Sequence, residues 1–331
     1  MRWGSTDRSV YNKVVQGVRS GSTSALRRKN MDVSLIVGTR DRGKQLARCL
    51  KSTRRIAFER PWELIIVDNG STDDTAEIIW DFMTSTSIPI HYVFEPRPGL
   101  GNAHNSGVVV ARGKILAFTD DDCYPERDFL SCLWSAFEDP SVGYVGGRIL
   151  LHDPADVQKG TTVRHPDRAT FPPNSFIKAG SFFSGANMAF RRQVLSEIGG
   201  FDPLFGPGAL FNAEDLDAAG RASAIGWSGQ YRPEIVVRHH HGRKSVDMPA
   251  LMKSYGIGIG AYHMKLLVRG RRLAWFAKSV YQFPRRYKWS PRCAAWEFVG
   301  AGMYACVYLH ETLRDCILLP RKLARGQRAQ G

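Results

Sequence analysis

The 331-residue sequence has no CxxC pair among its six cysteines, Cys49, Cys123, Cys132, Cys293, Cys306 and Cys316. Their spacing fits neither a zinc site nor a dense disulfide framework, and reduced thiols in a cytosolic compartment are the simplest reading. An apolar h-region is missing from the first 30 residues, which are rich in Ser, Arg and Gly, so no signal peptide is expected. Long hydrophobic runs are also scarce. The longest, 293–309, has 17 residues and contains Glu297. A spanning helix wants about 20 apolar residues and avoids a mid-span carboxylate, so no span is expected there. Internal repeats are absent. Acidic side chains are in deficit, 31 against 46 Lys and Arg, for a net charge of +15. That balance ordinarily points to nucleic acid or an anionic membrane. Hydrophobic residues at 43% and charged residues at 23% exclude wholesale disorder.

The excess charge is unevenly placed. Residues 1–30 carry a net +6, residues 31–242 a net −4 and residues 243–331 a net +13. The expected organisation is therefore a basic mobile arm (1–30), a slightly acidic catalytic body (31–242) and a basic, aromatic-rich helical extension (243–331).

Within the body, apolar β-branched runs alternate with helical spacing. VSLIVG (33–38), ELIIVD (63–68), IHYVFE (90–95) and KILAFTDDD (114–122) read as strands, the first two buried on both faces. Between them RGKQLARCLKS, TAEIIWDFM and NAHNSGVVVAR read as helices, with Ser71 or Thr72 able to cap the second. Repeated βαβ units predict a doubly wound α/β sheet with ligands at the carboxyl ends of its strands. Asp68, Glu95 and Asp120 to Asp122 all stand at such ends and should converge on one rim. Further on, VGYVGGRIL, SGANMAFRR and SGQYRPEIVVRHHH read as strands, and AEDLDAAGRASAIG as a helix opening with two acids.

Strand alternation would point Asp120 and Asp122 to one side. Paired carboxylates without thiol chemistry suit a hard divalent cation, Mg²⁺ or Mn²⁺, that keeps positions open for substrate phosphates. The competing reading is a solvated acidic turn after a strand. The same alternation puts His239 and His241 on one face and His240 on the other, so either of the pair is a candidate metal ligand. GIGIG (256–260) lacks the third glycine of a dinucleotide fingerprint and follows no clear strand. Cys123 reads as a small packing residue, with no activating histidine adjacent in sequence.

TRDRGKQL, IIVDNGSTDDT, RPGLGNAHNSGVVVARGKILAFTDDDCYP, SGANMAFRR, AEDLDAAGR and PEIVVRHHH, in this order, resemble family 2 glycosyltransferases of the GT-A fold over about residues 31–242. The resemblance implies a GT-A type doubly wound mixed sheet and an inverting transfer from a nucleotide-sugar donor. It gives Thr39, Arg42, Asp68, Arg97, Asn105, Asp120 and Asp121 to the donor. Asp120 and Asp122, with one of the histidines, go to the metal. Asp215, beside Glu214, becomes the catalytic base. Glu214 also reads as a helix-start acid, and Asp217 as a partner for Arg221 four residues on.

The chain departs from the family pattern in places. His104-Asn105 stands where Arg-Asn is frequent, Asn69 replaces the second acid of the VDDGS segment, and the QxxRW motif of processive synthases is absent. Addition of one sugar is therefore expected, to a lipid-linked or polysaccharide acceptor. The segment KLLVRGRRLAWFAKSVYQFPRRYKW interleaves cations with Trp275, Phe276, Tyr281, Phe283 and Trp289, and suggests peripheral attachment to an anionic membrane surface on its cytoplasmic face. A solvated face over a packed aromatic core is the alternative. No nucleic acid partner is expected, because the body that would form a basic groove is net negative. The other functions carried forward are a nucleotidyltransferase, which also uses paired acids, and a nucleic-acid binder using the basic ends.

Overall fold

The apolar runs of the sequence become strands of one sheet. The computed structural model describes residues 31–158, 161–178, 182–270, 272–287 and 291–327, with backbone alone for 282–287, 291–293 and 315–327. The basic segment 1–30 lies outside the described residues. In chain order the strands are β1 (Met31–Thr39), β2 (Trp62–Asp68), β3 (Ile90–Phe94), β4 (Gly113–Asp120), β5 (Cys123–Pro125), β6 (Val142–Leu151), β7 (Ala169–Phe171), β8 (Asn187–Arg191) and β9 (Ser228–His239). The helices are α1 (Gly43–Thr53), α2 (Thr75–Thr84), α3 (Leu100–Val110), α4 (Phe129–Ala136), α5 (Arg192–Glu197), α6 (Glu214–Ala224), α7 (Met248–Val268), α8 (Leu273–Tyr287) and α9 (Pro291–Gln327).

The sheet runs β3-β2-β1-β4-β8-β6-β9-β5, with β7 on β9. Strands β3, β2, β1 and β4 are parallel, as their crossover helices require. Strand β8 is antiparallel to both β4 and β6, which makes the sheet mixed. Successive residues of β1 enter opposite cores. Val33, Leu35 and Val37 pack with Leu46, Leu50 and Ile79 from α1 and α2. Ile36 packs instead with Val67, Phe118 and Ala103 of α3, in a core shared with Ala218, Ala219 and Ala222 of α6. This two-sided burial is why the strands read as continuous apolar runs.

The C-terminal helices dock on the body through specific polar joints. Lys265 of α7 is buried between Asp202 (2.7 Å) and Asp217 (2.6 Å). Tyr304 of α9 packs on Phe205 and Phe211 and accepts a hydrogen bond from Arg269 Nε at 2.9 Å. Glu297, the acid inside the apolar stretch, is buried 3.6 Å from His263. GIGIG serves helix packing: a methyl carbon on Gly260 would lie 2.6 Å from the carbonyl carbon of Glu297, and one on Gly300 would lie 2.6 Å from that of Ile257. The helices α7 and α9 thus touch backbone to backbone.

One expectation for this region is corrected. Trp275 is buried against Phe176 and under the Arg272 guanidinium, so it is a core aromatic and presents nothing to a headgroup layer. Phe276 is half-buried and Tyr281 exposed, while the Phe283 side chain and Trp289 lie outside the described residues.

Candidate active site

Parallel register brings the rim together. Thr39 lies opposite Asp68 across β1 and β2, and Gly38 lies opposite Asp120 across β1 and β4. Asp68 is buried and accepts hydrogen bonds from the Ser71 backbone N–H (2.8 Å) and the Tyr92 hydroxyl (3.0 Å). Just past β3, Glu95 accepts bonds from Arg97 Nε (2.9 Å) and from the Ser106 hydroxyl (2.5 Å). The Arg97 fork holds that carboxyl down at about 2. Asn69 ties this loop to the rim, donating to the carbonyls of Glu95 (3.0 Å) and Arg97 (2.7 Å).

The acidic triplet departs from the expected strand. Strand β4 ends at Asp120, and Asp121-Asp122 form a turn before β5, because β5 must reach across to pair antiparallel with β9. That pairing sets Cys123 opposite His239 and lets the His240 N–H donate to the Asp122 carbonyl at 2.8 Å. Asp120 and Asp122 are therefore brought together by a turn rather than by strand alternation. Asp121 accepts from the Thr39 hydroxyl (2.7 Å) and pairs with Arg42 (3.0 Å). Arg42 also reaches Asp122 Oδ2 at 2.5 Å. On the other oxygen, Asp122 Oδ1 lies 3.2 Å from His239 Nε2, while His239 Nδ1 donates to the Thr161 carbonyl at 3.1 Å.

Burial and like charge divide the three carboxyls. Asp120 is raised by burial and by Asp122, against the pull of His239 and Arg42. Asp121 is pushed up to about 7, chiefly by burial. Burial would raise Asp122 too, but its bond to His239 and the nearby Arg42 outweigh that and hold it low. His239 shifts up: burial opposes its charge, and the Asp122 carboxylate prevails. Ligand atoms of Asp120, Asp122, Cys123 and His239 all lie within 4.8 Å of one another. Two carboxylates and an imidazole suit a hard or borderline divalent cation. The Cys123 thiol, pushed up by burial and by Asp122, is neutral and a poor fourth ligand.

The two candidate histidines have different surroundings. Both ring nitrogens of His241 are engaged by backbone: Nε2 donates to the Val157 carbonyl (3.1 Å) and Nδ1 accepts from the Arg243 N–H (2.9 Å). Its ring lies 4.9 Å from that of His239, on the same side as alternation predicts, but with both nitrogens taken by backbone it is the less available of the two. His240 turns away to the Tyr124 hydroxyl at 3.0 Å. Asn105 is likewise reassigned. Its amide brackets Phe201, donating to the carbonyl and accepting from the N–H at 2.8 Å each, and so braces α3 against the 199–201 turn. His104 is buried between Phe118 and Phe201 and driven down to about 3 by that burial.

Across the rim stands the N-terminus of α6, entered through Ala213 in the left-handed region (φ 88°). Glu214 is buried and raised well above the carboxylate range by burial and by Asp215. Asp215 is half-buried, accepting from the N–H groups of Gly185 (3.0 Å) and Leu216 (2.7 Å). Burial lifts it to about 6 against those donors, so a helix-start acid keeps basicity near neutral pH. Asp217 pairs with Arg221 at 2.8 Å, as its spacing suggested, and with Lys265. Two residues beyond 242 were missed. The Arg243 charge lowers Asp120, and Tyr255 of α7, raised to about 12 by burial, senses Arg243, Asp215 and Asp120. A basic pair, Arg243-Lys244, one residue past the histidine triplet was the available signal for Arg243; Tyr255 had none.

Strands, turn and helix terminus together make an α/β rim site, with an acidic cluster that could hold a metal and a carboxylate of raised basicity. The sequence profile described as glycosyl transferase family 2 matches residues 34–199. The chain belongs to that family and is a glycosyltransferase. It is 26% identical over 239 residues to glycosyltransferase AglE of Haloferax volcanii, covering 72% of this chain and 75% of that one. It is also 26% identical over 223 residues to the O-antigen chain rhamnosyltransferase RfbN of Salmonella typhimurium, covering 64% and 67%. A pre-mycofactocin glycosyltransferase of Mycobacterium tuberculosis is 26% identical over 240 residues, 68% of this chain and 46% of that one, so the chain spans under half of that relative. Among solved structures, mannosyltransferase PcManGT from Pyrobaculum calidifontis, in complex with GDP-Man and Mn²⁺, shares the fold. Its TM-score is 0.59 at 19% identity, over 93% of this chain and 88% of that one.

Proposed function

We propose that this glycosyltransferase moves one sugar, with inversion, from a nucleotide-sugar donor to a hydroxyl of a lipid-linked or polysaccharide acceptor, in a metal-dependent reaction. The observation that carries the reading is the pairing of two unlike acid sites on one rim. One is a low carboxylate, Asp122, held beside His239 and Asp120. The other is a half-buried carboxylate, Asp215, lifted to about 6. Asp120, Asp122 and His239 would hold Mg²⁺ or Mn²⁺. When bound, such a cation supplies Lewis acidity that neutralises the diphosphate as it leaves. Thr39, Asp68 and Asp121 line the donor end of the rim, and Arg42 offers the diphosphate a cation once it releases Asp122. Asp215 accepts the acceptor hydroxyl proton on the sugar face opposite the leaving group, which is the arrangement that inverts the anomeric centre. The N–H groups of Gly185 and Leu216 position Asp215, while burial raises the neighbouring Glu214 well above the carboxylate range.

The name of RfbN, which acts on an O-antigen chain, and the Mn²⁺ and GDP-Man bound to PcManGT are consistent with this donor, metal and acceptor class. The domain boundaries at 30 and 242 and attachment at the cytoplasmic membrane face belong to the same proposal. Incubation with a panel of nucleotide-sugars and Mn²⁺, followed by nucleoside diphosphate release and the anomeric configuration of the product, tests it. Pyrophosphate release would make the chain a nucleotidyltransferase, and retained configuration would remove Asp215 from its role.

A further inference from the structure

The outer face of α9 is apolar and exposed. Val299, Met303, Cys306, Leu309 and Leu313 are spaced as one helical face, running about 21 Å along the axis. Their fractional exposure reaches 62% at Leu313, whereas Gly300 and Tyr304 on the opposite side are buried towards α7. Helix α8 likewise exposes Leu273 (67%) and Val280 (55%). Lys278 of α8 and Arg314 of α9 are exposed, and the sequence puts Arg321, Lys322 and Arg325 on the last turns of α9. Residues 243–331 hold 17 basic and 4 acidic side chains. Among the described residues, no helix is long and apolar enough to cross a membrane.

We propose that the exposed faces of α8 and α9 dock the enzyme on an anionic lipid bilayer, lying on it without spanning. Acyl chains cover the apolar stripe while headgroup phosphates meet the flanking cations. Charge decides among the occupants. A second copy would set one +13 segment against another, and a nucleic acid would leave the stripe facing water. The aromatic segment around Trp275 is not the anchor, since that side chain is buried. The inference deepens the lipid-linked acceptor reading, yet its test uses neither donor nor metal, so either can fail alone.

The full chain is sedimented with vesicles of phosphatidylcholine plus phosphatidylglycerol, and with phosphatidylcholine alone. Binding to the anionic vesicles only, weakened by salt, is expected, with the Met303→Glu/Leu309→Glu variant partitioning at least about tenfold less. The second readout needs no variant: anionic vesicles should protect Cys306 from a water-soluble maleimide, as mapped by peptide mass. Equal binding to both vesicle types, full labelling of Cys306 on vesicles, or unchanged binding of a folded double variant would overturn the proposal. So would a wild-type dimer that the double variant dissociates without any vesicle binding, which would assign the stripe to a second copy.

Discussion

Replacing Gly260 by alanine should destabilise the protein, although alanine is the better helix former. The added carbon would sit 2.6 Å from the Glu297 carbonyl carbon, where carbon atoms normally rest about 3.5 Å apart. The Glu297 carbonyl oxygen would be closer still, so helices α7 and α9 would have to separate by at least about 0.9 Å, and such a gap forfeits about half or more of the dispersion attraction across the contact. Overpacking of this kind costs about 2–3 kcal/mol, and the gain in helix propensity returns about 1 kcal/mol. The net loss is about 1–2 kcal/mol, or roughly 1.5–3 °C in Tm for a chain of this length. Gly302, on the same helix as Gly300, supplies the control. Nothing lies within 4 Å of its added carbon, so Gly302→Ala should gain up to about 1 kcal/mol from propensity alone. The double change Gly260→Ala/Gly300→Ala should cost less than the sum of the single ones, since the first already parts the helices. Denaturant melts of the four variants check this. A Gly260→Ala protein as stable as Gly302→Ala would refute backbone-to-backbone packing of the two helices.

The catalytic reading predicts that Asp215→Asn lowers turnover by about 10²–10⁴-fold. At saturating Mn²⁺ the wild-type rate should climb with pH through about 6, as Asp215 loses its proton, and that limb should vanish in the variant. Glu63 tests the fold instead. Burial would raise its carboxyl, but His91, Ser34 and Arg112 together hold it at about 2 against an ordinary 4.5. Its stabilisation is therefore complete above pH 4.5 and fades as pH falls towards 2. Glu63→Gln should lose about 2–4 kcal/mol at pH 7, with a flatter acid limb in urea midpoints between those values. Finally, Mn²⁺ should raise the Tm of the wild type, a chelator should reverse it, and Asp122→Ala should show neither response. A metal-induced rise surviving in Asp122→Ala would move the cation elsewhere.

The parallel half of the sheet was legible because its information is local. A strand buried on both faces must be apolar throughout, so β1, β2 and β4 announce themselves, and carboxylates at their ends announce the rim. What escaped depends on partners distant in sequence. The turn at Asp121-Asp122 exists because β5 pairs with β9, more than a hundred residues away. The separate fates of His239 and His241 are set by carbonyls of Thr161 and Val157, in a loop with no periodicity of its own. The amide of Asn105 is engaged by the backbone of Phe201, far along the chain, and nothing local to Asn105 signals it. In the same way GIGIG carries no meaning without the helix it faces, and Trp275 is an anchor or a core residue depending on Phe176.

The Thr161 carbonyl has one more consequence. A carbonyl only accepts, so it fixes a proton on His239 Nδ1, and the contact of Nε2 with an ionised Asp122 calls for a second proton there. The Asp122 carboxylate thus favours the charged ring, against the burial that opposes it, and a proton on Nε2 lies where a cation would contact the ring. A divalent cation held by Asp120, Asp122 and His239 would have to displace that proton, so the proposed metal dependence implies a metal affinity that rises with pH.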